Sequence, residues 1–313
     1  MSTARIPANT LVAVLMGGWS AERDVSLSSG KACTQALRSA GFNAVPVDVQ
    51  RDSVVKVLQD MKPDVAFNAL HGKWGEDGCC AAILETLQIP YTHSGVLASS
   101  LAMHKEKSKA IFRAAGVPVA ESILVPLEQV AAAHPMAPPY VVKPVAEGSS
   151  VGVHIVLDRA NGPVRAVLDE RHIFGDEAMV ERFVAGQELT CAVIGDRPLG
   201  VIDIVSKSSS WYDYTAKYAP GGSQHILPAD IPAAIYAECQ RLAVLAHRAL
   251  GCRGVSRADF RYDGAGTGEL ILLEVNTQPG MTGTSLVPEL AAHAGRSFED
   301  LVTWMVNDAS VDR

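Results

Sequence analysis

The chain has 313 residues, more than one compact domain usually holds, so two or three packed units with a sizeable core are expected. Its composition, 48% hydrophobic and 19% charged, is that of a globular enzyme, and a net charge of -7 argues against a nucleic-acid surface. No basic N-terminal region leads into a long apolar segment, no apolar run reaches membrane-spanning length, and the cysteines (Cys33, Cys79, Cys80, Cys191, Cys239, Cys252) include no C-x-x-C pair, so a cytoplasmic protein with buried thiols and no membrane association is expected.

The first unit, residues 1–94, alternates strands and helices. Strands are predicted at Leu11 to Met16, Asn43 to Val49 and Asp64 to Leu70, with helices at Ser26 to Ala40 and Val54 to Met61. Such alternation predicts an open parallel sheet of Rossmann-like type, with helices on both faces and ligands at the carboxyl ends of its strands. Two loops fall there, Gly17-Gly18-Trp19-Ser20-Ala21-Glu22-Arg23-Asp24 and His71-Gly72-Lys73-Trp74-Gly75-Glu76-Asp77-Gly78. Neither is a dinucleotide fingerprint or a P-loop. Glu22 reads either as a ligand for a substrate ammonium or as an acid that only favours a helix N-terminus. His71 reads as a functional residue or as a hydrogen-bonded structural histidine.

The second unit, 95–183, opens with helices carrying Lys105, Lys107 and Lys109, a pattern that ordinarily marks a solvated face. Tyr140 to Pro144 is a predicted strand, Glu147-Gly148-Ser149-Ser150-Val151-Gly152 a glycine-serine loop, and Val153 to Leu157 the next strand. Small residues let backbone N–H groups approach phosphate oxygens, so the loop is a candidate nucleotide cover, and Lys143 supplies a point charge beside it. A further strand at Met179 to Val184 carries Glu181, and Glu188 follows; either suits an adenine amino group or ribose hydroxyls, or is a surface charge.

In the third unit, 184–313, the segment from Ser206 to Pro228 has few strand or helix signals, and its Trp211-Tyr212-Asp213-Tyr214-Thr215-Ala216-Lys217-Tyr218 run suits a flap that closes on substrate. A helix is predicted from Ile231 to Leu250, with Pro232 in its first turn. Two strands follow, Val255 to Tyr262 and one whose apolar run, Leu270 to Leu273, leads into Glu274-Val275-Asn276. Side chains alternate along a strand, so Arg257, Asp259 and Arg261 share one face and Glu274 and Asn276 share another. Pairing through the Asp263 to Gly268 turn then joins Asp259, Glu274 and Asn276 into a hard oxygen donor set of the kind that holds Mg²⁺ together with substrate phosphates.

The motifs G-G-W-S-A-E-R-D-V-S-L, H-G-x-x-G-E-D-G, M-x-K-x-x-S-K, V-V-K-P-x-x-E-G-S-S-V-G, Y-D-Y-x-A-K-Y and E-V-N-T-Q-P-G-M-T-x-x-S-L occur in this order over nearly the whole chain, which resembles the D-alanine–D-alanine ligase family of the ATP-grasp superfamily. The resemblance implies an α/β N-terminal domain followed by a two-part ATP-grasp fold, α+β in character. It implies a cytoplasmic homodimer that joins two D-alanine molecules for peptidoglycan synthesis, using ATP and two Mg²⁺ ions, for which Mn²⁺ substitutes. By this resemblance Lys105, Lys143, Ser150, Glu181 and Glu188 meet ATP, with Ser149 and Ser150 over its phosphates, and Asp259, Glu274 and Asn276 hold the metal. Glu22 meets the first substrate's ammonium and positions Ser149 and Tyr218, while His71 lies near that substrate's carboxylate. Arg257 and the Gly280 N–H form the oxyanion site, Ser285 meets the second substrate's carboxylate, and Lys217 the transferred phosphate. His104 departs from the family pattern, where many members carry Asp, and leaves the polar contacts of Lys105 open. Two other readings are a ligase that forms D-alanyl-D-lactate and a catalytically silent nucleotide-binding module.

Overall fold

The computed structural model describes residues 5–206 and 222–313, so Lys217, Tyr218 and the rest of the expected flap at 207–221 lie outside the described residues. The described strands form three sheets. Leu11–Gly17 (β1), Asn43–Val49 (β2) and Val65–Asn68 (β3) build the first, wholly parallel in the order β2-β1-β3, as the alternation requires. The two faces of β1 bury different neighbours. Val12 and Val14 pack with Cys33 and Leu37 of the helix Arg23–Ser39 (α1), whereas Ala13 and Leu15 pack with Leu58 of Val54–Met61 (α2) and Leu84 of Cys79–Thr86 (α3). α1 begins a turn earlier than predicted, immediately after Glu22, and β3 is shorter than predicted at both ends.

Val96–Met103 (α4) and Lys105–Ala114 (α5) lead to the second sheet. Its strands are Ser122–Pro126 (β4), Tyr140–Pro144 (β5), His154–Val156 (β6) and Glu177–Arg182 (β7), ordered β4-β7-β5-β6 with antiparallel pairs, and the short helices Leu127–Ala132 (α6) and Arg171–Phe174 (α7) pack on it. The third sheet holds Gln187–Ile194 (β8), Arg197–Ser206 (β9), Ser223–Ile226 (β10), Val255–Tyr262 (β11) and Leu270–Asn276 (β12), antiparallel in the order β10-β9-β8-β11-β12. β10 lies within the segment predicted to lack strands. It is short and polar, Ser-Gln-His-Ile, and pairs at the sheet edge, so its sequence carries no alternation to detect. Ala233–Leu250 (α8) covers one face of this sheet, with Pro232 as its N-cap rather than within its first turn. The chain ends in Leu286–His293 (α9) and Phe298–Asp308 (α10), whose Leu290, Leu301 and Met305 join the same buried cluster as Val12 and Val14 of β1.

Two expectations are corrected. Cys79 is exposed at the start of α3, while the other cysteines are buried; the helix turns its first residue outward and the second, Cys80, inward. Nor is the lysine-bearing helix a solvated face throughout. Lys105 and Lys109 are buried and only Lys107 is exposed, because α5 lies against the third sheet and α8 and points one stripe of its lysines inward.

Candidate active site

β11 and β12 pair across the turn between them, as inferred, with Asp259 opposite Glu274 and Arg257 opposite Asn276. The Arg257 guanidinium donates twice to Asp259, Nε to Oδ1 at 2.9 Å and Nη2 to Oδ2 at 2.7 Å, and Thr190 Oγ1 of β8 donates to the same carboxylate at 2.7 Å. Between Asp259 and Phe260 the register slips by one residue. Strict alternation puts Leu273 on the core face beside Val275; the bulge instead puts Leu272 in the core and turns Leu273 to a cavity wall with Glu274. Apolar residues follow one another without a break here, so the sequence carries no signal of that bulge.

Two cavities meet at this point. The first, of about 980 Å³, is bounded by Glu22 and His71 at the ends of β1 and β3, Ser149 of the glycine-serine loop, Arg257 and Asn276, and Gly280 and Ser285 ahead of α9. The second, of about 910 Å³, lies between the second and third sheets and is bounded by Lys143, Ser150, Glu181, Glu188, Asp259 and Leu273. Lys105, Glu147, Gly148 and Glu274 line both. Every sequence-predicted site residue among the described ones therefore falls on one wall or the other.

The charges on these walls are paired. Glu181 is 3% exposed and accepts from Lys143 Nζ at 2.7 Å and from Lys109 Nζ. Burial alone pushes the Glu181 carboxyl up, but Lys143 and Lys109 together bring it below the usual carboxylate range. Lys109 completes this pair yet is absent from the predicted site; its place in the K-x-x-S-K motif is the signal that was available. Lys105 Nζ stands 3.6 Å from Glu274 Oε2 and donates to the Glu147 carbonyl. His104 caps α5 by accepting from Lys107 N at 3.4 Å. Glu188 pairs with Arg261 at 3.4 Å.

In the first cavity Ser149 donates its hydroxyl to buried Glu22, joining the glycine-serine loop to the N-terminus of α1. His71 is held between Ser29 Oγ at 2.9 Å and Glu76 Oε1 at 3.3 Å, two partners the sequence reading did not name. Ser285 Oγ accepts from Thr282 N at 2.9 Å, and a Cβ on Gly280 would stand 2.9 Å from that hydroxyl, so a side chain there would crowd Ser285. Gln278, also unnamed in the sequence reading, is buried; its Oε1 accepts from Asn68 Nδ2 at 2.6 Å and its Nε2 donates to the Leu70 carbonyl, tying the loop after β12 to the end of β3.

Among the described residues no group of three or more His, Cys, Asp or Glu side chains is assembled to hold a metal alone. Asp259, Glu274 and Asn276, two carboxylates and an amide oxygen on paired strands at the boundary of the cavities, fit Mg²⁺, which takes few protein ligands and completes its shell from water and phosphate.

Residues 111–307 match the family model described as D-ala D-ala ligase C-terminus. The D-alanine–D-alanine ligase of Parvibaculum lavamentivorans is 62% identical over 304 residues, spanning 96% of this chain and 98% of the relative. Among solved structures, the Bacillus anthracis D-alanine–D-alanine ligase complexed with ATP superposes with a TM-score of 0.80 at 28% identity, covering 96% of this chain and 97% of the other. The VanG D-Ala:D-Ser ligase of Enterococcus faecalis gives a TM-score of 0.76 at 28% identity, covering 95% and 98%.

Proposed function

The chain belongs to the D-alanine–D-alanine ligase family, and on that premise we propose that its adjoining cavities divide one reaction, the nucleotide in the second and the amino acids in the first. The fold is an ATP-grasp fold, and the enzyme joins two D-alanine molecules to D-alanyl-D-alanine, releasing ADP and phosphate, for peptidoglycan synthesis. The observation that carries the division of labour is the wall common to both cavities: Lys105 and Glu274 line both, and so stand where a nucleotide in one would meet an amino acid in the other.

A carboxylate is a poor acceptor for an amine, so the first D-alanine is activated. Its carboxylate oxygen attacks the γ-phosphorus of ATP, the bond to ADP breaks, and an acyl phosphate forms. Lys143 and Lys105 offset charge on the phosphates, and Mg²⁺ held by Asp259, Glu274 and Asn276 supplies charge neutralisation there when bound. Glu22 takes the first substrate's ammonium, and the Ser149 hydroxyl it accepts from ties the loop over the phosphates to that site. The neutral amine of the second D-alanine, its carboxylate at Ser285, attacks the acyl carbon. Arg257 and the Gly280 N–H hold the tetrahedral oxyanion until the carbon–oxygen bond to phosphate breaks. Glu181 and Glu188 line the second cavity, where they suit the adenine amino group and ribose hydroxyls. The reading places residues 1–94 on the first amino acid, 95–183 over the nucleotide and 184–313 around the metal and second amino acid, in a homodimeric cytoplasmic enzyme; no described helix is long and apolar enough to cross a membrane.

The test is phosphate release by the purified chain with Mg-ATP, with and without D-alanine, D-serine, D-lactate or L-alanine, the products separated by chromatography. Release that requires D-alanine, accompanied by the dipeptide in equal amount and abolished by EDTA until Mg²⁺ is restored, is expected. Release only with another nucleophile, or activity that survives EDTA, would overturn the assignment.

A further inference from the structure

One contact joins the N-terminal unit to the phosphate-covering loop without involving any residue assigned above. Lys73 Nζ, in the 71–78 loop, pairs with Glu147 Oε1. The pattern H-G-x-x-G-E-D-G does not specify residue 73, which is lysine in this chain. Glu147 lines both cavities, and its carbonyl accepts from Lys105. Two residues on, Ser149 and Ser150 have φ of 53° and 60°, in the left-handed region that costs a non-glycine residue about 1 kcal/mol or more and persists only where surrounding contacts enforce it. The loop therefore depends on tethers to keep this shape. Ser149 to Glu22 is one, at the wall of the first cavity. Lys73 to Glu147 is a second, anchored on the 71–78 loop rather than at Glu22.

We propose that Lys73 is a positioning residue that holds the 147–150 loop closed through its ion pair with Glu147 and so shields the acyl phosphate from water. The proposal rests on the ligase reading. When the loop opens, water attacks the acyl carbon, the carbon–oxygen bond to phosphate breaks, and phosphate and free D-alanine leave, so that ATP is consumed without dipeptide. The Lys73 side chain is 57% exposed and that of Glu147 20%, which limits the pair to an effect of a few-fold and makes it sensitive to salt.

The experiment measures phosphate and dipeptide in the same samples of full-length protein, from about 0.05 to about 0.5 M sodium chloride, a range that shortens the screening length several-fold. Lys73→Gln and Glu147→Gln are each expected to raise the fraction of phosphate released without dipeptide about two- to fivefold at low salt. In both, that fraction responds less to salt than in the wild type, and the melting temperature is unchanged. Lys73→Arg restores coupling, as does the reversed pair Lys73→Glu with Glu147→Lys. Wild-type coupling in Lys73→Gln, or a lowered melting temperature with coupling intact, overturns the positioning role. A wild-type protein that releases no phosphate on addition of D-alanine overturns the ligase reading instead.

Discussion

On the proposed reaction Arg257 carries two tasks with one side chain. Its fork is spent on Asp259, two residues along the same strand face, which fixes the guanidinium plane at the boundary of the cavities. A donor so fixed needs no reorganisation as charge develops on a tetrahedral oxygen, and the loss of one such donor typically lowers turnover about 10²- to 10³-fold. Arg257→Ala is therefore expected to reduce kcat by that order while changing the KM for ATP far less, as steady-state kinetics with each substrate varied will check; equal losses would place Arg257 in nucleotide binding. Arg257→Lys keeps the charge but not the fork and is expected to fall between. Arg257, Asp259, Glu274 and Asn276 were legible in the sequence because strand alternation fixes which residues share a face. Lys109 and Gln278 sit in motifs, but what each does was not legible, since each acquires its role from a partner far along the chain, Glu181 for one and Asn68 with Leu70 for the other.

Elements were legible where local signals dominate. β2, α2 and β5 have the spans their patterns predict, bounded by turn residues and carrying plain periodicity. What the sequence withheld is how closely elements approach. Gly30 sits inside α1, where its flexibility weakens the helix by about 1 kcal/mol relative to alanine. Propensity alone thus makes Gly30→Ala stabilising. In the structure a Cβ there would overlap Met16 of β1, standing 2.7 Å from Sδ with the Met16 Cβ closer still. Met16 lies at the end of the central strand, in a register fixed by β2, so relief requires α1 to move off the sheet. Overpacking of this kind costs roughly 1–3 kcal/mol, which outweighs the helical gain. Gly30→Ala is expected to lower the melting temperature by a few degrees, measured by circular dichroism, and to weaken D-alanine binding because α1 starts beside Glu22. A raised melting temperature would mean that propensity wins.

At the scale of the molecule, the first sheet is completed by the last helices: α9 and α10 close the core over β1, and Arg313 donates to the His93 carbonyl. A linear reading divides the chain into consecutive units and misses this return, since nothing in the helices' own periodicity names their partner. The seams it creates bury titratable groups. His93 packs edge-on to Phe67 at 6.2 Å and is 2% exposed, and His247 of α8 meets Ser256 of β11 at 2.7 Å and is 3% exposed. Burial pulls His93 down to about 3 and His247 to about 4 from an ordinary value of 6.5. Both rings are thus neutral in the folded protein at a pH where the unfolded chain would protonate them. Their contribution is fully present above about pH 6.5 and is lost as pH falls through 6.5 toward the folded values, because the unfolded state then binds more protons. For His247 alone the complete loss is on the order of 3 kcal/mol. Carboxylates whose pKa is lowered in the fold, Asp48 and Glu85 among them, act only below about 4.5. Between about pH 4.5 and 6.5 these two histidines therefore lower stability as acid is added, opposed by Asp203, whose carboxyl burial pushes up. Denaturant midpoints across that window are expected to fall with acid in the wild type, and His247→Gln to flatten the slope by close to one proton whatever it does to the absolute midpoint. An unaltered slope would mean that His247 takes up its proton equally well in both states and that its burial on α8 against Ser256 does not hold the ring neutral.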